Sequence, residues 1–443
     1  MKKLISPKSI VTVDSKENIF NGYSVEVEDG IIKKIAPTSE FDLLKFDGEI
    51  IRCSGYTLIP GFVQTHLHLC QTLFRGLADD LELLDWLQKK IFPFENEHTA
   101  DSLKLSTQLG LNELISSGTT AIVDMGTLRY QEVIFEELIS TGIRGYSGNC
   151  MIDINELYPK FCISTADNLS MSRDYAKSFH NSSNGKIKYA FSPRFVLSCS
   201  ERLLKETKEM MIDFDGSMLH THSSENKKEL EIVKQQHGLR NIEYFDSINL
   251  LNDKSILAHC VHVDESEINI LKKKNVRVAH CPSSNLKLGS GIANIPLFIK
   301  EGISVSIGAD GAPCNNSLSI FKEMHIAALI QKPSHGPTAM DAKTVFKLAT
   351  IEGAKALYLE NEIGSIEEGK KADFVLLDLE DAEQSLDENS IYSKIVYSAD
   401  KNCVREVFID GKRIVENGKC IFYDEEELLS VGKEKLVELL KRI

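Results

Sequence analysis

Apolar and polar positions follow two rhythms along this chain. Near the N-terminus the rhythm has period two: Ser24-Val25-Glu26-Val27-Glu28 alternates and turns at Asp29-Gly30, a hairpin signal. The same texture returns near the other end. Ala372 to Asp378 is a short apolar run, and Val404 to Ile409 runs into Asp410-Gly411. Two β-rich ends around a different middle predict one small β domain built from both. In the middle, short apolar runs alternate with segments of period 3.6. Thr120–Asp124, Lys188–Phe191, Ser217–His220, Ser255–His259, Val276–His280 and Ser304–Gly308 read as strands, and Ala100–Ile115 and Glu265–Lys274 as helices. Repeated strand–helix units predict an α/β chain with a parallel sheet, either a barrel or doubly wound. Glu425 to Ile443 reads as a charged amphipathic surface helix.

The polar residues that end the strands decide between these architectures. Gly61 to His68 ends in His66-Leu67-His68, Leu219 to His222 ends in a second His-x-His, Leu257 to His259 ends in His, and Ile307 to Asp310 ends in Asp. In a (β/α)8 barrel the C-terminal ends of parallel strands converge on one mouth. Residues i and i+2 of a strand share a face, so His66 and His68 can both turn inward and grip one ion. His222 and Asp310 complete the set from other strands, with His220 facing away as a core residue. Nitrogen and carboxylate donors without thiolate suit one divalent metal, zinc first, with iron or manganese as alternatives.

Charge and composition narrow the function. Of 443 residues, 51 are Lys or Arg and 65 are Asp or Glu, a net charge of −14. A general phosphate-backbone binder needs a basic excess, so nucleic acid is not expected as a partner. No apolar run is long enough to span a membrane, and the first residues lack an apolar signal-peptide core, so a cytoplasmic protein is expected. Ten scattered cysteines without a CxxC pair read as free thiols in a reducing compartment. No GxGxxG or Walker loop is present, which argues against a nucleotide cofactor. A small-molecule substrate is the expected partner, with a homo-oligomer possible.

Several motifs together resemble the amidohydrolase superfamily, in the branch of methylthioadenosine/S-adenosylhomocysteine deaminases, guanine deaminases and s-triazine hydrolases. They are Pro60 to His68, Leu73 to Asp80, Ser117-Gly118-Thr119-Thr120, His222-Ser223-Ser224-Glu225, Ala258 to His262, His280 to Asn285, Gly308 to Pro313 and Gly364 to Asp373. The resemblance implies a (β/α)8 barrel over residues 57–364, a β-sandwich from residues 1–56 and 365–423, and a C-terminal helix over 424–443. It implies metal ligation by His66, His68, His222 and Asp310, with Asp310 also taking a proton from water. Glu225 would protonate the ring nitrogen beside the attacked carbon, and His259 would hold the attacking oxygen. The other zinc deaminase class, marked by His-x-Glu and Pro-Cys-x-x-Cys, is excluded because Pro313-Cys314-Asn315-Asn316 lacks the second cysteine.

The expected reaction is hydrolytic deamination of an aminopurine, but the pocket residues point two ways. Trp86 to Glu95 resembles adenosine-type deaminases, where the matching Glu95 would grip the ribose diol and Trp86 would stack on the base. Gln71, and Arg194 followed by Phe195, resemble guanine deaminases, where an Arg fork can donate twice to a purine carbonyl and ring nitrogen. Asn149 stands where enzymes favouring S-adenosylhomocysteine tend to carry Arg. The expected substrate is an adenosine-type nucleoside (methylthioadenosine, S-adenosylhomocysteine or 5′-deoxyadenosine). Guanine or a pterin is the alternative, and an s-triazine is a further one.

Overall fold

The structure is a computed structural model that describes residues 2–379 and 390–443. Eight parallel strands follow one another around a ring: β1 (Phe62–His68), β2 (Thr119–Asp124), β3 (Arg144–Ser147), β4 (Ile187–Pro193), β5 (Met218–Ser223), β6 (Ser255–His259), β7 (Arg277–His280) and β8 (Val305–Ile307). The ring closes just past β8, where Asp310 pairs with Leu67 and Gly311 with His68. Every residue of β1, β2, β5 and β6 is buried, as expected of parallel strands covered on both faces. This is the (β/α)8 fold the sequence pattern predicts.

Local chemistry sets the helix boundaries. Helix α1 (Lys227–His237) begins at a capping box in which Asn226 and Glu229 satisfy each other's backbone N–H groups, and it stops at Gly238 with φ 71°. Helix α2 (Glu265–Lys274) repeats the device with Asp264 and Glu267. It ends at left-handed Asn275 after three lysines that favour the negative end of the helix dipole. Each cap fixes the turn from the preceding strand, and those turns carry the candidate site.

The terminal segments build the second sheet, nine strands among the described residues, drawn from both ends of the chain. Its central seam sets Glu49–Pro60 antiparallel to Phe374–Asp378, with Phe374 opposite Pro60. Glu49–Pro60 also runs parallel to Lys2–Val11, with Ile5 opposite Ile51. Inward-facing Ile5, Val25, Val27, Ile51, Phe374 and Phe408 share one apolar core. The expected sandwich from both termini thus takes the form of a continuous sheet. By compactness the chain divides into residues 1–64, 112–121 and 319–424 as one unit, and 65–111, 122–318 and 425–443 as the other. The C-terminal helix spans Glu425–Leu440. All ten cysteines are free, and among the described residues no helix is long and apolar enough to cross a membrane.

Candidate active site

Four buried side chains meet at the C-terminal mouth of the barrel. One ligand atom each from His66, His68, His222 and Asp310 lies within 4.8 Å of all the others. His68 Nε2 is 3.1 Å from His222 Nε2, and Asp310 Oδ1 is 3.3 Å from His66 Nε2 and 3.4 Å from His68 Nε2. Close approach of the chains makes this possible. At Gly308 a Cβ would stand 2.6 Å from the His66 carbonyl oxygen, so only glycine lets β8 come in beside β1.

Neighbouring groups fix each ligand's orientation. The His222 Nδ1–H donates to the Arg194 carbonyl at 2.7 Å, which leaves its Nε2 lone pair facing inward. His66 Nδ1 is 2.8 Å from Nε2 of His220, which is the partner of a candidate ligand and sits outside the four. Asp310 Oδ2 accepts the Ser284 hydroxyl at 2.6 Å, and Oδ1 accepts the Gly311 N–H at 2.7 Å. Burial lowers the pKa of His66, and takes those of His68 and His222 well below the usual imidazole range. Burial alone would raise the Asp310 carboxyl, but the surrounding imidazoles bring it well below the usual carboxylate range. Neutral imidazoles and one carboxylate are the protonation states that metal binding requires. His66 Nε2 is buried with no hydrogen-bond partner, a cost that a bound cation would remove. The donor set fits a divalent metal.

Glu225 and His259 stand over the same point. His259 Nε2 is 3.5 Å from Glu225 Oε2 and 3.9 Å from Asp310 Oδ2. The His259 Nδ1–H donates to Asn285 Oδ1 at 2.8 Å, which fixes the ring. Burial, then the Asp310 carboxylate, pushes Glu225 well above the usual carboxylate range. Glu229 lies directly behind, its Oε2 accepting the Glu225 N–H at 2.9 Å. The backbone here is strained: Ser224, His259, Cys260 and Asp310 all have φ between 47° and 74°. Such non-glycine residues cost about 1–3 kcal/mol each and gather at sites whose geometry is enforced by their surroundings.

A narrow cavity, partly open to solvent, lies over these groups. Leu83, Trp86, Leu87, Phe195 and Leu288 form its apolar wall. Of the four expected substrate contacts, Trp86 and Arg194 line the cavity, whereas Gln71 and Glu95 are absent from its wall. Arg194 forms a two-pronged ion pair with Glu95, at 2.9 and 3.2 Å, and Gln71 Nε2 donates to the same carboxylate at 2.7 Å. The guanidinium also lies 5.1 Å from the centre of the Phe92 ring. Glu95 is therefore committed to holding Arg194 in place.

The amidohydrolase family profile matches residues 57–414. The chain belongs to the amidohydrolase family. This amidohydrolase is 37% identical over 430 residues to a 5′-deoxyadenosine deaminase of Methanococcus maripaludis, covering 96% of this chain and 99% of that protein. It is 35% identical over 431 residues to a 5-methylthioadenosine/S-adenosylhomocysteine deaminase of Thermodesulfovibrio yellowstonii, covering 96% of each. Among solved structures, an adenosine deaminase from Xanthomonas campestris with bound zinc superposes with a TM-score of 0.92 at 28% identity, over 99% of this chain and 98% of that one. A guanine deaminase from C. acetobutylicum with bound guanine gives 0.85 at 26%, over 93% and 100%.

Sequence reasoning missed several groups that shape this amidohydrolase's site. Ser284 and Asn285 lie within the His280–Asn285 motif, and only the fold reveals that they orient Asp310 and His259. Glu229 had a readable signal, the capping spacing from Asn226. Asp124 ends β2 and accepts the Leu69 N–H, the Gly126 N–H and the Ser147 hydroxyl at 2.9, 3.0 and 2.7 Å, with burial raising it to about 6. It thereby anchors the turn that leaves His68. A buried Asp at a strand end was visible in the sequence, but nothing local separated it from a salt-bridge partner.

Proposed function

We propose that this amidohydrolase is a metal-dependent hydrolytic deaminase of an aminopurine, with an adenosine-type nucleoside as substrate. Water adds to the amino-bearing ring carbon, the C–N bond breaks, and ammonia leaves with formation of the inosine analogue. The observation that carries this reading is the convergence of His66, His68, His222, Asp310, Glu225 and His259 at the mouth of one barrel, in a chain matching two adenine-nucleoside deaminases over 96% of its length.

His66, His68, His222 and Asp310 would hold the metal, zinc by the donor set. When bound, such an ion supplies Lewis acidity and can bring the pKa of a water to about 7. The remaining steps belong to the chain's own residues. The Asp310 carboxylate, steadied by Ser284, takes a proton from the attacking water. His259, its Nδ1–H committed to Asn285, turns Nε2 toward that same oxygen and steadies it as the tetrahedral centre forms. Glu225, whose proton is held more tightly by burial and by the Asp310 carboxylate, gives that proton to the ring nitrogen next to the attacked carbon. The proton taken by Asp310 then passes to the amino group; as the C–N bond breaks and ammonia departs, the hydroxyl of the tetrahedral centre gives its proton to the Glu225 carboxylate, which leaves the carbonyl of the product and restores Glu225. Trp86, Phe195 and the leucines around them bury the flat base and exclude bulk water.

A second reading, guanine or a pterin, is favoured by one observation: Arg194, not Glu95, faces the cavity. An ammonia-release screen over 5′-deoxyadenosine, methylthioadenosine, S-adenosylhomocysteine, guanine, pterins and melamine-type triazines separates the readings. The nucleoside reading expects kcat/KM for an adenosine compound to exceed that for guanine by at least about tenfold, a difference of roughly 1.4 kcal/mol at the transition state. The reverse order overturns it.

A further inference from the structure

The turn that carries Glu225 contains one peptide plane held at both ends. The carbonyl of that plane, Ser224 C=O, accepts the Val261 and His262 N–H groups at 3.0 and 2.9 Å, which ties it to the loop just past His259. The N–H of the same plane belongs to Glu225 and donates to Glu229 Oε2 at 2.9 Å. The Asn226 N–H reaches that oxygen at 3.3 Å. The other Glu229 oxygen accepts Nδ2 of Asn241 at 2.5 Å, from the first residue of the helix Asn241–Ser247. Ser224 itself has φ 55°, a conformation that a non-glycine residue keeps only where its surroundings enforce it.

Helix capping alone does not account for Glu229. Glu267 opens α2 with the same spacing and is also buried, but there Arg240 supplies a counter-charge at 2.8 Å. Glu229 is 1% exposed, and among the described residues its partners are the two backbone N–H groups and the Asn241 amide. Burying a carboxyl without a counter-ion is costly. Its shorter backbone bond goes to Glu225, one residue before the cap Asn226.

We propose that Glu229 is a positioning residue for the reaction: by pinning the Ser224–Glu225 peptide plane it aims the Glu225 carboxyl at the substrate. The inference rests on the reading of Glu225 as the proton donor. Without Glu229 the carbonyl end of the plane stays tied to Val261 and His262, while the N–H end is free to swing and carries Glu225 with it. A displacement of about 1 Å at a reacting group can cost about 10²-fold in rate.

The test is a double-variant cycle with Glu225→Gln, read as kcat and KM for ammonia release from the compound that the screen above shows to be turned over. Metal content and thermal midpoint are measured on every variant. Glu229→Leu should lower kcat by about 30–100-fold, with KM within about threefold and metal content unchanged. In the Glu225→Gln background the same substitution should cost less than about threefold, because no acid is left to aim. Glu229→Gln keeps an oxygen for both N–H groups, and its amide can donate to Asn241 once that side chain turns its Oδ1, now without a partner, toward it. Its kcat should stay within about fivefold of the parent enzyme. Asn241→Ala frees the far end of Glu229 and should lower kcat by about 3–10-fold, again only while Glu225 is present. It carries the test if Glu229→Leu does not fold. Equal losses in the two backgrounds, no loss in either, or a Gln variant no better than Leu would overturn the proposal. If Glu225→Gln itself keeps the parent kcat, the proton-donor reading fails and takes the positioning role with it.

Discussion

Removing both partners of the Arg194–Glu95 pair should damage the protein much less than the two separate removals added together. Side-chain exposure is 3% for Arg194 and 0% for Glu95, and two N–H groups meet two carboxylate oxygens at 2.9 and 3.2 Å. Glu95→Ala leaves a guanidinium buried against Phe92 with no counter-charge. Breaking a buried pair in this way costs about 3–5 kcal/mol, because the surviving charge keeps its desolvation penalty. Arg194→Met leaves the Glu95 carboxylate with Gln71 as its remaining partner and should cost a similar amount. The double variant Glu95→Leu/Arg194→Met removes both charges at similar volume, so its cost should fall below the sum of the singles by at least about 2 kcal/mol. Trp86 is the sole tryptophan, is buried and lines the same cavity, so its fluorescence reports the transition locally in guanidinium titrations. Circular dichroism on the same samples reports the rest of the fold. Single variants costing under about 1 kcal/mol, or a double equal to their sum, would refute the view that the pair is desolvated and coupled.

Other outcomes follow from the same geometry. Glu225→Gln should lower kcat by about 10²–10⁴-fold, the usual worth of a general acid, with metal content unchanged by elemental analysis. Glu225 must carry its proton to act, and its pKa is raised by burial and by Asp310, so kcat/KM should hold on the acid side and fall as pH rises through that raised value. A pH–rate profile with no basic limb that Glu225→Gln removes would contradict this. Glu229 is pushed to about 7 from 4.5, first by burial and then by Glu225. The folded state then binds its proton more tightly than the unfolded chain does. Stability should therefore fall by up to about 3 kcal/mol as pH rises from about 4.5 to about 7, and Glu229→Gln should flatten that slope in denaturation curves. Asn285→Ala removes the acceptor of the His259 Nδ1–H and should lower kcat by about 2–10-fold, the worth of one neutral hydrogen bond, with KM little changed in steady-state assays.

Much of this architecture was legible in the chain because parallel barrel strands are buried on both faces and read as continuous apolar runs. β2, β4, β5, β6, β7 and β8 all fall on such runs. β3 does not: Arg144-Gly145-Tyr146-Ser147 is short and mixed, and only pairing with β4 makes it a strand. The four clustered donors were legible because strand ends concentrate them at fixed spacing. The groups that orient them were not, since Ser284 and Asn285 act from the short helix Pro282–Lys287 and Asp124 from another strand end, across distances no local pattern encodes. Glu95 and Arg194 show the same limit. Each residue type suggested a substrate contact, yet burial brought them to one another.

The central claim is that His66, His68, His222 and Asp310 share one divalent cation at the barrel mouth. An anomalous difference map from crystals of the purified protein, recorded on both sides of the zinc absorption edge, tests it most directly. The account predicts one peak per chain, bonded to a ring nitrogen from each of the three histidines and to an Asp310 carboxylate oxygen at about 2.0–2.2 Å. A protein that deaminates its substrate while the map shows no metal there, or a metal held by other residues, would contradict it.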